Sequence, residues 1–316
     1  MGIAKKNLPT IGIDIGGTGI KGIALDTDGV IYAKLSVPTE ASRGREAVLL
    51  SVEELVGELL ERCPTACALG IASAGRINAL SGEVVYATDN LPGWTGLRLA
   101  EWAGLRFGLP VAVDNDANAA LFGEWRLGAA QGLSSAVMLT LGTGVGGANM
   151  ESGRLLHGAG WSGGEWGHAV LVPGGLPCNC GRRGCAEQYL SGAALMRSAE
   201  AAFERASLSP AELLQAFSTG EARAAETLRE YTSLLAVFAA NLKAGFDPEA
   251  ILLGGGAAAS LEIWRPLLEQ ALAAEGAAGL RVLQAQLGNQ AGCIGAAFMA
   301  ADLAQAITGN KEEESA

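Results

Sequence analysis

The chain predicts an α/β protein built from two related domains, and three observations carry that expectation. Strand-like runs alternate with helical stretches along the 316 residues. A pattern of strand, Gly/Thr loop, strand, turn and strand occurs twice, once from Thr10 and again from Ala136. No low-complexity linker separates the halves, which places the boundary at a hinge near Asn118.

Thr10 to Ile15 reads as a strand ending at Gly16-Gly17, and Gly19 to Leu25 as a second. Val30 to Val37 is a third, after the turn Asp26-Thr27-Asp28-Gly29. Arg45 to Arg62 carries apolar residues at helical spacing. Ala68 to Ser73 and Val111 to Asp114 are short β-rich runs of buried-strand character, and Ala117 to Leu127 is helical. Ala136 to Leu141 and Val145 to Met150 are strands flanking GTGVGG, followed by the turn Glu151-Ser152-Gly153 and a further strand from Arg154. The second half is mostly helical, over Ala193 to Ala206, Pro210 to Phe217 and Glu221 to Phe246. Ile251 to Leu253 is a strand ending in Gly254-Gly255-Gly256. Ala291 to Ile307 is the last helix, and the polar tail from Gly309 to Ala316 is expected to fray.

Composition narrows the function classes. Hydrophobic residues make up 49% of the chain and charged residues 17%, and the mean hydropathy of +0.27 is raised by Ala and Gly. No apolar run is expected to reach the roughly 18 residues of a membrane helix, and MGIAKKNLPT lacks a secretory pattern. A formal net charge of −11 argues against non-specific nucleic-acid binding, which needs a basic face. Cys63, Cys67 and Cys293 stand in apolar contexts and read as buried thiols, not disulfides, so a cytoplasmic location is expected.

The densest chemistry lies between Gly164 and Glu187, in GEWGHAVLVPGGLPCNCGRRGCAE. His168, Cys178, Cys180 and Cys185 form a full tetrahedral ligand set for Zn²⁺, which leaves no open position and makes the ion structural. One nitrogen of His168 would bind the metal and the other could donate to a ligand. Glu165 and Glu187 flank the cluster, as a polyhydroxy ligand would require. In DIGGTGIK, Asp14 to Lys21, backbone amides and the Thr18 hydroxyl can approach a phosphate, and Asp14 can hold Mg²⁺ through water. GTGVGG, Gly142 to Gly147, satisfies G-x-G-x-x-G, but a strand follows it where a dinucleotide fold needs a helix, so a phosphate-contacting hairpin fits better. In DNDANAALFGE, Asp116 stands where a strand enters a helix; the local sequence leaves it open as a general base or a helix cap. His157 reads as isolated and structural, and Trp94 as a ligand neighbour.

From DIGGTGIK to AGCIGAA at Ala291 to Ala297, these motifs resemble the ROK family of bacterial sugar kinases and sugar-responsive repressors, the zinc signature with GEWGH and CAE being the specific part. The resemblance implies an actin/hexokinase-like (ribonuclease H-like) fold with a cleft, in which two domains close over a sugar and ATP. Residues 1–118 and the last helix from about 298 would form the smaller domain, and residues 119–297 the larger one with the zinc loop. It implies that Asp116 takes the proton from the sugar 6-hydroxyl, beside sugar contacts from Asn90, Asn115, Glu165, His168 and Glu187. Asp14, Gly16, Gly17, Thr18 and Lys21, with Gly142, Thr143 and Gly144, would hold the phosphates of ATP and its Mg²⁺. Gly254, Gly255, Gly256 and Gly292 would lie near the adenosine, and the protein would be a homodimer.

The expectation is therefore an ATP-dependent hexokinase forming a hexose 6-phosphate, with glucose first and N-acetylmannosamine or N-acetylglucosamine second. The loop IASAGRIN has Ala74-Gly75 where family kinases often carry Pro-Gly, and a similar Ser-containing loop occurs in the N-acetylmannosamine kinase branch. Gln188 after Glu187 is a second departure. Family regulators place a helix-turn-helix domain ahead of the sugar domain; about ten residues precede the first strand here, too few for one. A non-catalytic sugar sensor lacking a DNA-binding domain is the rival reading, and the presence of Asp116 and both phosphate loops speaks against it.

Overall fold

A computed structural model describes residues 8–313. The secretory-pattern reading of the first residues therefore falls largely outside the described chain, as does the tail beyond Glu313. The chain forms two compact units. The first takes the residues up to Gln131, the segment His157–Gly163 and the chain from Asn289; the second takes Gly132–Leu156 and Gly164–Gly288.

The first unit begins with β1 (Thr10–Ile15), β2 (Gly19–Leu25), β3 (Ile31–Pro38), α1 (Arg45–Arg62) and β4 (Leu69–Ser73). A small hairpin of β5 (Arg76–Asn78) and β6 (Glu83–Tyr86) follows, then α2 (Leu99–Phe107), β7 (Val111–Asn115) and α3 (Asp116–Leu127). The sheet runs β3-β2-β1-β4-β7, antiparallel through the first three strands and parallel from β1 to β7. The apolar stripe of α1, Val48, Val52, Leu55, Val56 and Leu59, is fully buried, each such side chain contributing about 1.5–3 kcal/mol. It packs where Gly22 bares the sheet: a Cβ there would stand 2.7 Å from Leu59 Cδ1.

The second unit holds β8 (Ala136–Leu141), β9 (Val145–Glu151), β10 (Arg154–Leu155), α4 (Glu187–Leu190), α5 (Gly192–Phe203), α6 (Pro210–Ser218), α7 (Ala222–Phe246), β11 (Ala250–Gly254), α8 (Gly255–Ala258), α9 (Leu261–Ala274) and β12 (Val282–Gln284). Its sheet runs β10-β9-β8-β11-β12, again antiparallel through the hairpins and parallel from β8 to β12. The repeat seen in the sequence is thus a repeat of topology. Its core gathers Leu139, Leu228, Leu235, Ile251 and Trp264, with the Tyr231 and Trp264 rings edge to face.

The last helix, α10 (Ala291–Glu313), belongs to the first unit. It covers the sheet face opposite α1. Gly12 and Gly70 are neighbours across β1 and β4, and Cβ atoms there would stand 1.9 Å from the Cys293 carbonyl and 1.8 Å from that of Ala296. Two expectations are corrected here. Residues Gly288–Gly309 do have the length and apolarity of a membrane span, but more than half of its apolar 18-residue window is buried inside the protein, as in a core helix. The tail does not fray at Gly309: the helix runs on to Glu313, through Lys and Glu, which are good helix formers.

Candidate active site

In the first unit the β1–β2 hairpin presents Asp14 opposite Lys21 in register. Burial pushes the Asp14 carboxyl above its ordinary range, and the Lys21 ammonium offsets this only in part. The first turn of α10 lies on this carboxylate through Gly292, where a Cβ would stand 2.8 Å from Asp14 Oδ2. The hairpin tip is held from behind, since Thr39 donates its hydroxyl to the Gly16 carbonyl (2.6 Å) and its N–H to the Thr18 carbonyl (3.3 Å). Gly17 and Thr18 are left exposed, with Asn90 alongside Gly17. A half-buried carboxylate, an ammonium and exposed backbone at one tip suit a phosphate and its cation.

The end of β7 shows which residue caps α3. Asn115 is the N-cap of α3: its Oδ1 accepts from the N–H groups of Ala117 (2.8 Å) and Asn118 (3.2 Å), and its Nδ2 donates to the Gly75 carbonyl (2.9 Å). Asp116 is the first helical residue, half-buried, its Oδ1 accepting from Ala117 N–H. Much of Asn115's own bonding capacity is thus spent on the cap and on the Gly75 loop. Asp114 is buried, accepting from Asn118 Nδ2 at 2.9 Å through Oδ1 and meeting His157 Nε2 at 2.6 Å through Oδ2. That bond lifts the His157 imidazole above its usual range, against the opposing effect of burial. His157 was read as isolated; 43 residues separate it from Asp114, and no local pattern announces the pair. Trp94 is corrected too, since it is fully buried and its Nε1–H donates to Ser73 Oγ (2.9 Å).

In the second unit the tip Gly142–Gly144 closes with Gly142 N–H donating to the Gly144 carbonyl (3.0 Å). Two groups flank it. Gly255 abuts the Leu141 backbone, which brings the turn Gly255-Gly256 beside the tip, both at carboxyl ends of parallel strands. Glu187, opening α4, accepts from Val145 N–H (3.2 Å) and lies so close to Gly144 that a Cβ there would meet its Oε2 at 2.2 Å. Glu165 is exposed, immediately before the 3₁₀ turn Trp166–His168. That turn is pinned by Trp166 Nε1–H donating to Asn149 Oδ1.

The predicted ligand set comes together. His168, Cys178, Cys180 and Cys185 bring their donor atoms within 4.8 Å of one another. Cys178 Sγ lies 3.6 Å from His168 Nδ1, and Cys180 Sγ lies 3.6 Å from Cys185 Sγ. A tetrahedral ion with bonds of about 2.0–2.3 Å needs donor separations of about 3.5–3.8 Å, so the residues fit. Burial acts to raise the Cys180 thiol, but hydrogen bonds from Arg182, Cys178 and Cys185 outweigh it and bring it down to about 6. Burial and its thiol neighbours push Cys185 up to about 12. All six cysteines are free, and Cys63 and Cys293 are buried as expected, with Cys67 partly exposed.

The ROK family profile matches residues 10–303. The chain belongs to the ROK family. A ROK relative from Streptomyces coelicolor named glucokinase is 35% identical, over 92% of this chain and 97% of the relative. One from Escherichia coli O157:H7 named N-acetylmannosamine kinase is 32% identical, over 93% and 98%. The solved ROK glucokinase of Streptomyces griseus, in complex with glucose and AMPPNP, superposes with a TM-score of 0.78 at 32% identity, over 93% of this chain and 99% of that one. The actin/hexokinase-like fold implied by the resemblance is the fold of this ROK chain.

Proposed function

We propose that the chain is an ATP-dependent hexokinase that transfers the γ-phosphoryl group to the 6-hydroxyl of a hexose, with glucose as first substrate. The observation that carries this reading is the division of labour at the start of α3. Asn115 takes the cap, so Asp116 is not needed for it and stands at a strand-to-helix junction of a glucokinase-like chain. Its role is to accept the proton of the 6-hydroxyl as that oxygen attacks phosphorus and ADP leaves. Asn90 and Asn115, with Glu165, His168 and Glu187, grip the remaining hydroxyls. The tips at Gly16–Thr18 and Gly142–Gly144 receive the phosphates, with Lys21 supplying positive charge; Gly255, Gly256 and Gly292 border the nucleoside. Mg²⁺, when bound with ATP, would neutralise phosphate charge, and Asp14 would hold it through water.

The cluster supports a structural Zn²⁺ on His168 Nδ1, Cys178, Cys180 and Cys185. The His168 Nε2 position then remains for a ligand hydroxyl, and the loop leading to Glu187 is stiffened. A cytoplasmic location and a homodimer belong to the same reading.

A second reading, N-acetylmannosamine kinase, has its own support. The Ser73-Ala74-Gly75 loop departs from the Pro-Gly of family kinases, and its Gly75 carbonyl is bonded to Asn115, the neighbour of Asp116. The test is ADP release with Mg-ATP across glucose, mannose, fructose, N-acetylglucosamine and N-acetylmannosamine. Preference for glucose is expected; preference for N-acetylmannosamine would replace glucose as the substrate. No turnover by folded, zinc-loaded protein would turn the reading toward a sugar sensor.

A further inference from the structure

The segment His157–Gly163 packs with the first unit although the chain on both sides belongs to the second. It is folded on itself, with Gly163 N–H donating to the His157 carbonyl (2.7 Å) and the Trp161 ring 5.6 Å from the imidazole. Arg76 Nη1 donates to Ser162 Oγ (3.1 Å), and the imidazole Nε2 of His157 meets Asp114 Oδ2 at 2.6 Å, where Asp114 is only 4% exposed. The other Asp114 oxygen takes Asn118 Nδ2 (2.9 Å) and Asn115 N–H (2.7 Å). Asn115 in turn caps α3 and holds the Gly75 carbonyl. Asp116 stands between Asn115 and Asn118, inside this chain of bonds.

We infer that His157 is a positioning residue for Asp116, acting through Asp114 and the Asn115 cap. The inference rests on reading Asp116 as the base. A buried carboxylate cannot leave an oxygen unpaired without cost. Deprived of His157, Asp114 competes with Asn115 for the N–H groups of the first turn of α3, and the turn that carries Asp116 shifts. A shift near 1 Å at a reacting group costs about 10²-fold in rate.

Two substitutions separate position from bulk. Gln places its amide nitrogen where the imidazole Nε2 lies, and Asn places it where Nδ1 lies. In steady-state ADP release with the sugar the wild type turns over, His157→Asn is expected to lower kcat about ten- to a hundredfold while the KM for ATP stays near its wild-type value. His157→Gln is expected to restore most of the loss. Asp114→Asn, which removes the ion pair at unchanged volume, carries the same expectation as His157→Asn and serves if that variant does not fold. Wild-type kcat in His157→Asn or Asp114→Asn, or a His157→Gln as slow as His157→Asn, overturns the inference. Asp116→Asn is measured alongside. If it keeps full turnover, the base reading and this inference fall together; if it is inactive while His157→Asn is not slowed, the inference alone falls.

Discussion

The two sheets share one plan and differ at their strand ends. Strand for strand, β3-β2-β1-β4-β7 and β10-β9-β8-β11-β12 have the same order and directions. At the same register β1 carries Asp14, paired with Lys21, where β8 carries Thr140, paired with Gly146. At the end of the outer parallel strand the first unit reads Asp114-Asn115-Asp116, whereas the second reads Gln284-Ala285-Gln286 from the last residue of β12. The first unit builds its acids into the sheet frame. The second receives Glu187 from the cysteine-bearing loop inserted between β10 and α4. A duplicated frame supplies two glycine-tipped hairpins, and the chemistry that distinguishes them is added at strand ends and in one insertion.

That contrast breaks first if the frame acids of the first unit are dispensable. Asp116→Asn is expected to lower kcat about 10²–10⁴-fold with the protein still folded, read by ADP release; near-normal turnover would leave Asp116 as a mere first-turn residue. The next effect tests the insertion. Cys178→Ser removes one of four ligands and is expected to take zinc, measured by elemental analysis, from near one per chain to well below it. The KM for sugar should rise about 10–100-fold, because His168 and Glu187 lose their common anchor. Full zinc content, or an unchanged KM, would mean that the loop does not depend on the cluster.

The sequence made the repeated frame legible because its signals are local. Glycine pairs after β-rich runs, the turn before β3 and the apolar stripe of α1 each announce themselves within a few residues, and α1 falls at Arg45–Arg62 as expected. The cluster was legible for a similar reason, three of its ligands lying within eight residues. Helix α9 was hidden because Pro266 stands inside it, a residue that ordinarily ends a helix. The β5–β6 hairpin and α2 are short, and their periodicity is weak. Trp94 was misplaced since the hydroxyl that takes its indole N–H, on Ser73, is 21 residues away. His157 was missed because pairing across 43 residues leaves no periodic trace, and the short segment His157–Gly163 is flanked on both sides by chain of the other unit.

That pair also yields the smallest and most specific test. Strand β12 of the second unit ends in neutral side chains, so the His157–Asp114 bond is a feature of the first unit's strand end without a counterpart there. The hydrogen bond that His157 donates to the Asp114 carboxylate raises the imidazole above its ordinary range, and burial opposes this only in part. A base whose folded pKa exceeds its unfolded one binds its proton more tightly in the native state. The stabilisation is therefore complete below pH 6.5 and is lost as pH rises through the raised value. His157→Gln keeps a neutral donor and cannot gain that proton. The wild type should therefore exceed His157→Gln in urea midpoint by more at pH 6 than at pH 9. A gap that is constant with pH would mean that His157 holds Asp114 as a neutral imidazole, and that the link to α3 is a hydrogen bond without an ion pair.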